Sequence, residues 1–212
     1  MTILKCEDLE LKVGYKTLIR GFSLELNAGE SMAVVGPNGL GKTTLLRSLC
    51  GVGKPYRGQV FLGEKKLWPQ TDDNNPTVRL CYLASQPALF LDHSVAANLE
   101  FYVRAHAMNW DVQQGRDALE SVGLSGRFQQ TARTLSTGQK RRLTLAFMMI
   151  VKPELLLLDE PTNGLDTEGV GLCLRLMSEL RSNSRSAVMI ATHDQQLIDW
   201  CGNSVDLKRW AP

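Results

Sequence analysis

The sequence predicts an α/β fold built on a mainly parallel sheet, with a helical block inserted between its strands. Three observations predict it. Apolar runs at 32–35 and 155–158 are continuous rather than alternating, as in strands buried on both faces. A glycine-rich turn at 36–41 joins the first run directly to a helical pattern. Strand and helix patterns then alternate along most of the 212 residues, the arrangement that βα units need.

Residues 4–11 and 22–26 alternate well enough to be strands. Asn27-Ala28-Gly29-Glu30 is a turn leading into the strand at 32–35. Leu45-Leu46-Arg47-Ser48-Leu49 reads as the start of a helix, and Gly51 is placed to end it. A short strand between turns follows at 58–63. Residues 68–77 are polar and hold two prolines and two asparagines, so they read as a loop before a strand at 78–83. From Ser94 to Val151 the pattern is helical: Val95, Leu99, Tyr102 and Val103 share one face, and Leu119 and Val122 share another. Residues 155–159 are a central strand. A helix around 170–180, a strand at 187–191 and a terminal strand near 204–207 complete the core.

The bulk numbers exclude several classes. Hydrophobic residues are 43% and charged residues 22%, as in an ordinary folded protein. A net charge of +2 with no long basic run does not point to nucleic acid. The five cysteines, at 6, 50, 81, 173 and 201, have no CxxC spacing and read as reduced core thiols. The N-terminus turns polar too early for a signal peptide, and the run at 155–158 is far too short to span a bilayer. Any membrane role is therefore expected through a partner.

The chemistry starts at Gly36-Pro37-Asn38-Gly39-Leu40-Gly41-Lys42-Thr43-Thr44. Strand, glycine-rich turn and helix make a phosphate-binding P-loop. The glycines let several backbone N–H groups face one anion, and the helix N-terminus adds partial positive charge. Lys42 can reach the β- and γ-phosphates, and the Thr43 hydroxyl can ligate Mg²⁺. A second constellation closes the strand at 155–159. Asp159 stands at its C-terminal end, where α/β sheets place ligand chemistry, and would hold the Mg²⁺ beside Thr43. Glu160 could polarise the attacking water as a general base. Alone, four leucines before Asp-Glu could equally be a core strand entering a loop; the P-loop in the same chain favours the functional reading.

With these residues in place the chain resembles the ATP-binding cassette (ABC) ATPases. Leu135-Ser136-Thr137-Gly138-Gln139 is similar to their signature motif, departing from the commonest form at Thr137. Gln86 resembles the Q-loop glutamine, Gly164-Leu165-Asp166 the D-loop, and His193 the switch histidine. The resemblance implies a P-loop NTPase core with a mainly parallel sheet, an antiparallel β subdomain and an inserted helical subdomain. On that basis one ABC ATP-binding domain fills 1–212, with the core at 1–86 and 152–212 and the helical subdomain at 87–151. It implies roles as well. Gln86 would touch Mg²⁺ or the water and report the γ-phosphate to the helical insertion. His193 would hydrogen-bond the γ-phosphate. Ser136 and the Gly138 N–H would serve the nucleotide of an opposing subunit in a head-to-tail homodimer, with Asp166 beside them. Where the family stacks an aromatic residue on adenine this chain has Val13; Tyr15, two residues on, is the substitute expected here.

Within the family the compact length, Asn98-Leu99-Glu100-Phe101-Tyr102 and the brief tail after His193 are most similar to the haem-export, cytochrome c maturation branch. That resemblance implies multi-span transmembrane permease partners, a peripheral position on the cytoplasmic face of the inner membrane, and no nucleic acid. Export of another substrate, or a soluble scaffold role in iron–sulfur assembly, are the alternatives. Direct haem binding is not expected: His93, His106, Met108 and Tyr102 in an amphipathic helical block read as packing and surface residues.

Overall fold

A computed structural model describes residues 1–68, 78–182 and 185–212. The loop expected at 68–77 therefore lies, from residue 69 on, outside the described residues. In chain order the elements are β1 (Thr2–Val13), β2 (Lys16–Asn27), β3 (Ser31–Val35), α1 (Lys42–Leu49), β4 (Arg57–Leu62), β5 (Lys65–Trp68), β6 (Leu80–Leu83), α2 (Val95–Ala105), α3 (Val112–Ser121), α4 (Thr137–Val151), β7 (Leu155–Asp159), α5 (Thr167–Ser182), β8 (Ala187–Ala191), α6 (Gln195–Cys201) and β9 (Ser204–Asp206). Single 3₁₀ turns stand at Ala132–Thr134 and Leu207–Trp210. The chain divides into two compact units: Met1–Ala84 with Pro153–Pro161 and Arg181–Pro212, and Ser85–Lys152 with Thr162–Leu180.

The first unit holds both sheets. One is antiparallel, in the order β2-β1-β4-β5. Its first hairpin turns at Gly14-Tyr15, with Val13 opposite Lys16, and ladder pairing carries β1 and β2 past the limits that alternation alone suggests. β1 bulges at Asp8, whose φ is +48°. Gly58 of β4 faces that bulge with φ +97°; a Cβ there would stand 2.5 Å from the Asp8 carbonyl oxygen and 2.6 Å from that of Glu7. Only glycine fits so close an approach.

The other sheet is parallel, in the order β6-β7-β8-β3-β9. β7 and β8 are buried at every residue, which explains the unbroken apolar sequences at 155–158 and 187–191. α1 touches β1 of the antiparallel sheet and β7 and β8 of the parallel one. Its Leu45, Leu46 and Leu49 are fully buried in the core these elements share, each contributing roughly 2 kcal/mol by removal from water. Val34 pairs with Ala191, and Ala191 pairs with Asp159, so three strands end in one row. The segments that follow them leave from the same carboxyl edge, where α/β sheets bind ligands.

The chain's last elements also differ from the sequence reading. α6 was not expected; it is a short helix, started by the Asp194 side chain accepting the Gln196 N–H and stopped by Gly202 at φ +73°. The last strand ends at Asp206 because its carboxylate accepts the Lys208 N–H and turns the chain into the 3₁₀ segment.

The second unit is helical. α2, α3 and α4 pack on one another, with Leu99, Leu119, Leu143 and Phe147 among the buried side chains. Every one of these helices is capped from its own sequence. Ser94 accepts the Ala97 N–H, Asp111 accepts from Gln113 and Gln114, and Ser136 and Gln139 form a reciprocal capping box at the start of α4.

Candidate nucleotide site

The loop after β3 has the form that an anion requires. Gly41 is the N-cap of α1 at φ +107°, a conformation that L side chains rarely adopt, and a Cβ there would lie 3.3 Å from Leu18. Pro37, Asn38 and Gly39 are exposed, Leu40 folds inward against the core, and Thr43 and Thr44 open the first turn of α1. The Lys42 side chain is buried back into the loop. Its Nζ donates to the carbonyl oxygens of Gly36, at 2.8 Å, and Pro37, at 3.4 Å. The ammonium thus sits inside the loop that the sequence assigns to phosphate.

Thr43 Oγ1 donates to Asp159 Oδ2 at 2.8 Å. Asp159 is 1% exposed, at the last residue of β7. A hydroxyl and a carboxylate side by side are hard oxygen donors, the kind of ligand Mg²⁺ takes. Neighbouring Tyr82, on β6, feels the same carboxylate: burial first, and the charge of Asp159 second, push its phenol up to about 12.

Glu160 follows with φ +48°, a left-handed backbone in a residue that normally avoids it. Its N–H donates to the Ala191 carbonyl at 2.8 Å, which holds the turn. Both carboxylate oxygens are contacted: His193 Nδ1 stands 3.0 Å from Oε1, and Thr192 Oγ1 donates to Oε2 at 3.3 Å. A carboxylate only accepts, so Nδ1 is the protonated nitrogen of this pair. Lys42, Thr43, Asp159, Glu160 and His193 are thereby gathered at one edge of one sheet. Tyr15 belongs to the same unit but is fully exposed, at 107%, in the hairpin turn.

The second unit carries the other residues singled out in the sequence. Gln86 is exposed just after Ser85, whose carbonyl accepts from the buried Arg141 guanidinium of α4 at 2.5 Å. Ser136, Gly138 and Asp166 line one polar cleft of about 470 Å³, together with Gln139, Arg142 and Glu168. Arg142 donates to Asp166 at 2.8 Å and to Glu168 at 3.0 Å. The Arg142 hydrogen bond, then the Gly169 N–H, hold the Asp166 carboxyl below its ordinary range. His106 Nδ1 lies 2.8 Å from the Tyr102 carbonyl and its ring packs on Phe147, while His93 packs on Phe90. Sequence reasoning missed Arg142, Glu168 and Thr192. Each is defined by a contact across 24 or more residues, and no local pattern announces it.

A P-loop, a Mg²⁺-type pair of hydroxyl and carboxylate oxygens and a strand-end glutamate define the class: a nucleoside-triphosphate hydrolase of the P-loop kind. Comparison with known proteins carries this further. The family profile described as ABC transporter matches residues 19–163. The cytochrome c biogenesis ATP-binding export protein CcmA of Nitrosomonas europaea is 34% identical over 200 residues, covering 92% of this chain and 90% of the relative. The lipoprotein-releasing system ATP-binding protein LolD of Acinetobacter baylyi is 35% identical over 186 residues, covering 85% and 82%. Among solved structures, a dimeric post-hydrolysis state of the ATP-binding cassette MJ0796 bound to ADP and Pi superposes with a TM-score of 0.86 at 22% identity, covering 97% of this chain and 94% of that one. The chain belongs to the ABC transporter family, as an ATP-binding, ATP-hydrolysing subunit.

Proposed function

We propose that this subunit works as a pair of identical cassettes that hydrolyse MgATP to drive a multi-span membrane partner in haem export for cytochrome c biogenesis. The observation that carries the subfamily reading is the near end-to-end match to CcmA, 92% of one chain and 90% of the other. Lipoprotein release, the process named for LolD, is the second reading, favoured by 35% identity over a slightly shorter span.

The chemistry follows from the side chains. In the proposed cycle Lys42 leaves the Gly36 and Pro37 carbonyls for the β- and γ-phosphates, and the N–H groups of 36–44 cradle them. Thr43 and Asp159 would hold Mg²⁺, which when bound neutralises charge building on the phosphate oxygens. Glu160 accepts a proton from the attacking water, and His193 turns toward the γ-phosphate to stabilise the developing charge. Ser136 and Gly138 serve the nucleotide of the opposite copy. The Ser136 oxygen accepts from Gln139 in the capping box, which leaves its hydroxyl with a proton to give. Asp166 stands beside them in the cleft.

For the membrane partner we favour the face around 87–91. Buried Asn98 grips Phe90 through both its N–H, at 2.8 Å, and its carbonyl, at 3.1 Å. This presents Phe90, Leu91 and Phe101 to solvent, with the rings of Phe90 and Phe101 4.6 Å apart. An exposed aromatic group held rigidly suits docking to an apolar helix. Haem itself is not assigned to this chain.

The test is purification of the full chain with its native membranes in detergent, plus a deletion strain. Co-purifying multi-span protein and loss of covalent c-type cytochrome on deletion are expected. Normal cytochrome c with impaired lipoprotein release would replace the first reading by the second. A stable soluble complex without membrane protein would overturn both.

A further inference from the structure

We infer that Thr192 is a positioning residue for ATP hydrolysis, a fixed anchor that aims the Glu160 carboxylate while His193 moves. The inference rests on the proposed role of Glu160 in orienting water.

Thr192 is 0% exposed and lies one residue past Ala191, in the row where three strands end. Its backbone N–H donates to the Val34 carbonyl at 3.2 Å, tying it to β3. Its Oγ1 accepts the Asp194 N–H at 3.1 Å, which fixes the χ1 rotamer of the side chain. A hydroxyl has one proton, and with that lone pair engaged the proton points at Glu160 Oε2, 3.3 Å away. The partner on the other oxygen is of a different kind. The His193 side chain is 70% exposed, so its ring can swing to a phosphate without displacing the core. Once it does, Oε1 loses that contact and Oε2 keeps the Thr192 bond. Glu160 also carries a left-handed backbone, which narrows the directions its side chain can take. Thr192 supplies a further constraint, and it comes from the segment that leaves β8, the strand next to β7.

The experiment compares full-length Thr192→Val, Thr192→Ser, Glu160→Gln and the Thr192→Val/Glu160→Gln double variant, by steady-state MgATP hydrolysis and by single turnover. Valine keeps the shape and removes the hydroxyl. Thr192→Val is expected to lower kcat roughly tenfold, the loss of one hydrogen bond to a charged group, with KM for ATP changed by less than about twofold. Thr192→Ser is expected to restore kcat to within about twofold of the parent. In the Glu160→Gln background the valine substitution should add no further loss. An unchanged kcat in Thr192→Val while Glu160→Gln is inactive overturns the inference alone. So does an equal loss in both backgrounds, which would mark a purely structural role. Normal hydrolysis by Glu160→Gln overturns the reading of Glu160 and this inference with it. Should the valine variant fail to fold, Thr192→Ala against Thr192→Ser is read in the same way.

Discussion

Thr43 Oγ1 lies 2.8 Å from Asp159 Oδ2, although 116 residues separate the two in the chain. Thr43 opens α1 and Asp159 closes β7, and the register of the parallel sheet brings both to one edge. The pair is thus a product of topology, with the P-loop helix packed directly on the strand that ends in the carboxylate. If it holds Mg²⁺, Asp159→Asn removes the charge and keeps the shape, and turnover should fall roughly 100-fold, about 3 kcal/mol of transition-state stabilisation. Raising Mg²⁺ should recover part of that loss. Thr43→Ser should stay near parental activity and Thr43→Val should resemble Asp159→Asn. Equal activity of the serine and valine variants at limiting Mg²⁺ would remove Thr43 from the site.

Lys42 has its ammonium folded into the loop, bonded to the Gly36 and Pro37 carbonyls. Those bonds are replaceable by phosphate oxygens, so ligand binding should exchange one set of charge-assisted contacts for a stronger set. ATP at about 100 times its Kd should then stabilise the parent by ~2.7 kcal/mol. Lys42→Ala should show almost none of that stabilisation in a thermal melt. A full ATP-induced shift in the variant would contradict the loop assignment.

Much of this site was legible in the sequence, because its parts follow short apolar strands that leave little doubt about direction. Residues 32–35 and 155–158 are unbroken apolar runs within β3 and β7, and the glycines and acidic residues sit immediately after them. What stayed hidden depends on pairing between distant segments. β5 has only four residues, all half-buried, and gives no alternation to read. α6 has seven residues, about two turns, too few to show a repeating apolar face. No local pattern marks Arg142, whose meaning comes from Asp166 and Glu168 in another segment. Thr192 reads as a strand-end residue until its hydroxyl is seen against Glu160, 32 residues away.

Gly58 offers a test of the antiparallel sheet that leaves the ATP chemistry aside. A Cβ at this position would sit 2.5 Å from one backbone oxygen and 2.6 Å from another, and neither belongs to a flexible side chain. The backbone is also at φ +97°. Gly58→Ala should therefore cost about 3 kcal/mol or more, from steric and conformational strain together. Gly29, at φ +83° with open space around it, is the control, and Gly29→Ala should cost only about 1 kcal/mol, from backbone strain alone. Urea unfolding of the two variants measures the difference; equal costs would show that β1 and β4 are not this close.

The buried thiols make stability depend on alkaline pH. Burial pushes Cys6, Cys81, Cys173 and Cys201 up to about 12 from an ordinary value of 9.0. A folded value above the unfolded one means that both states are protonated below pH 9.0, where the contribution is fully present. Above that, the unfolded chain gains thiolates that the folded chain cannot form, and stability drains away until about pH 12. For the well-buried Cys81 and Cys173 the slope approaches, at most, about 1.4 kcal/mol per pH unit for each thiol. Urea midpoints measured under reductant should thus be level from about pH 7 to 8.5 and fall between about 9 and 10.5. Cys81→Ala should make that fall less steep by one thiol's share, since alanine has nothing to ionise in the unfolded state. The same slope in the alanine variant would assign the alkaline loss to other groups and leave the Cys81 thiol out of it.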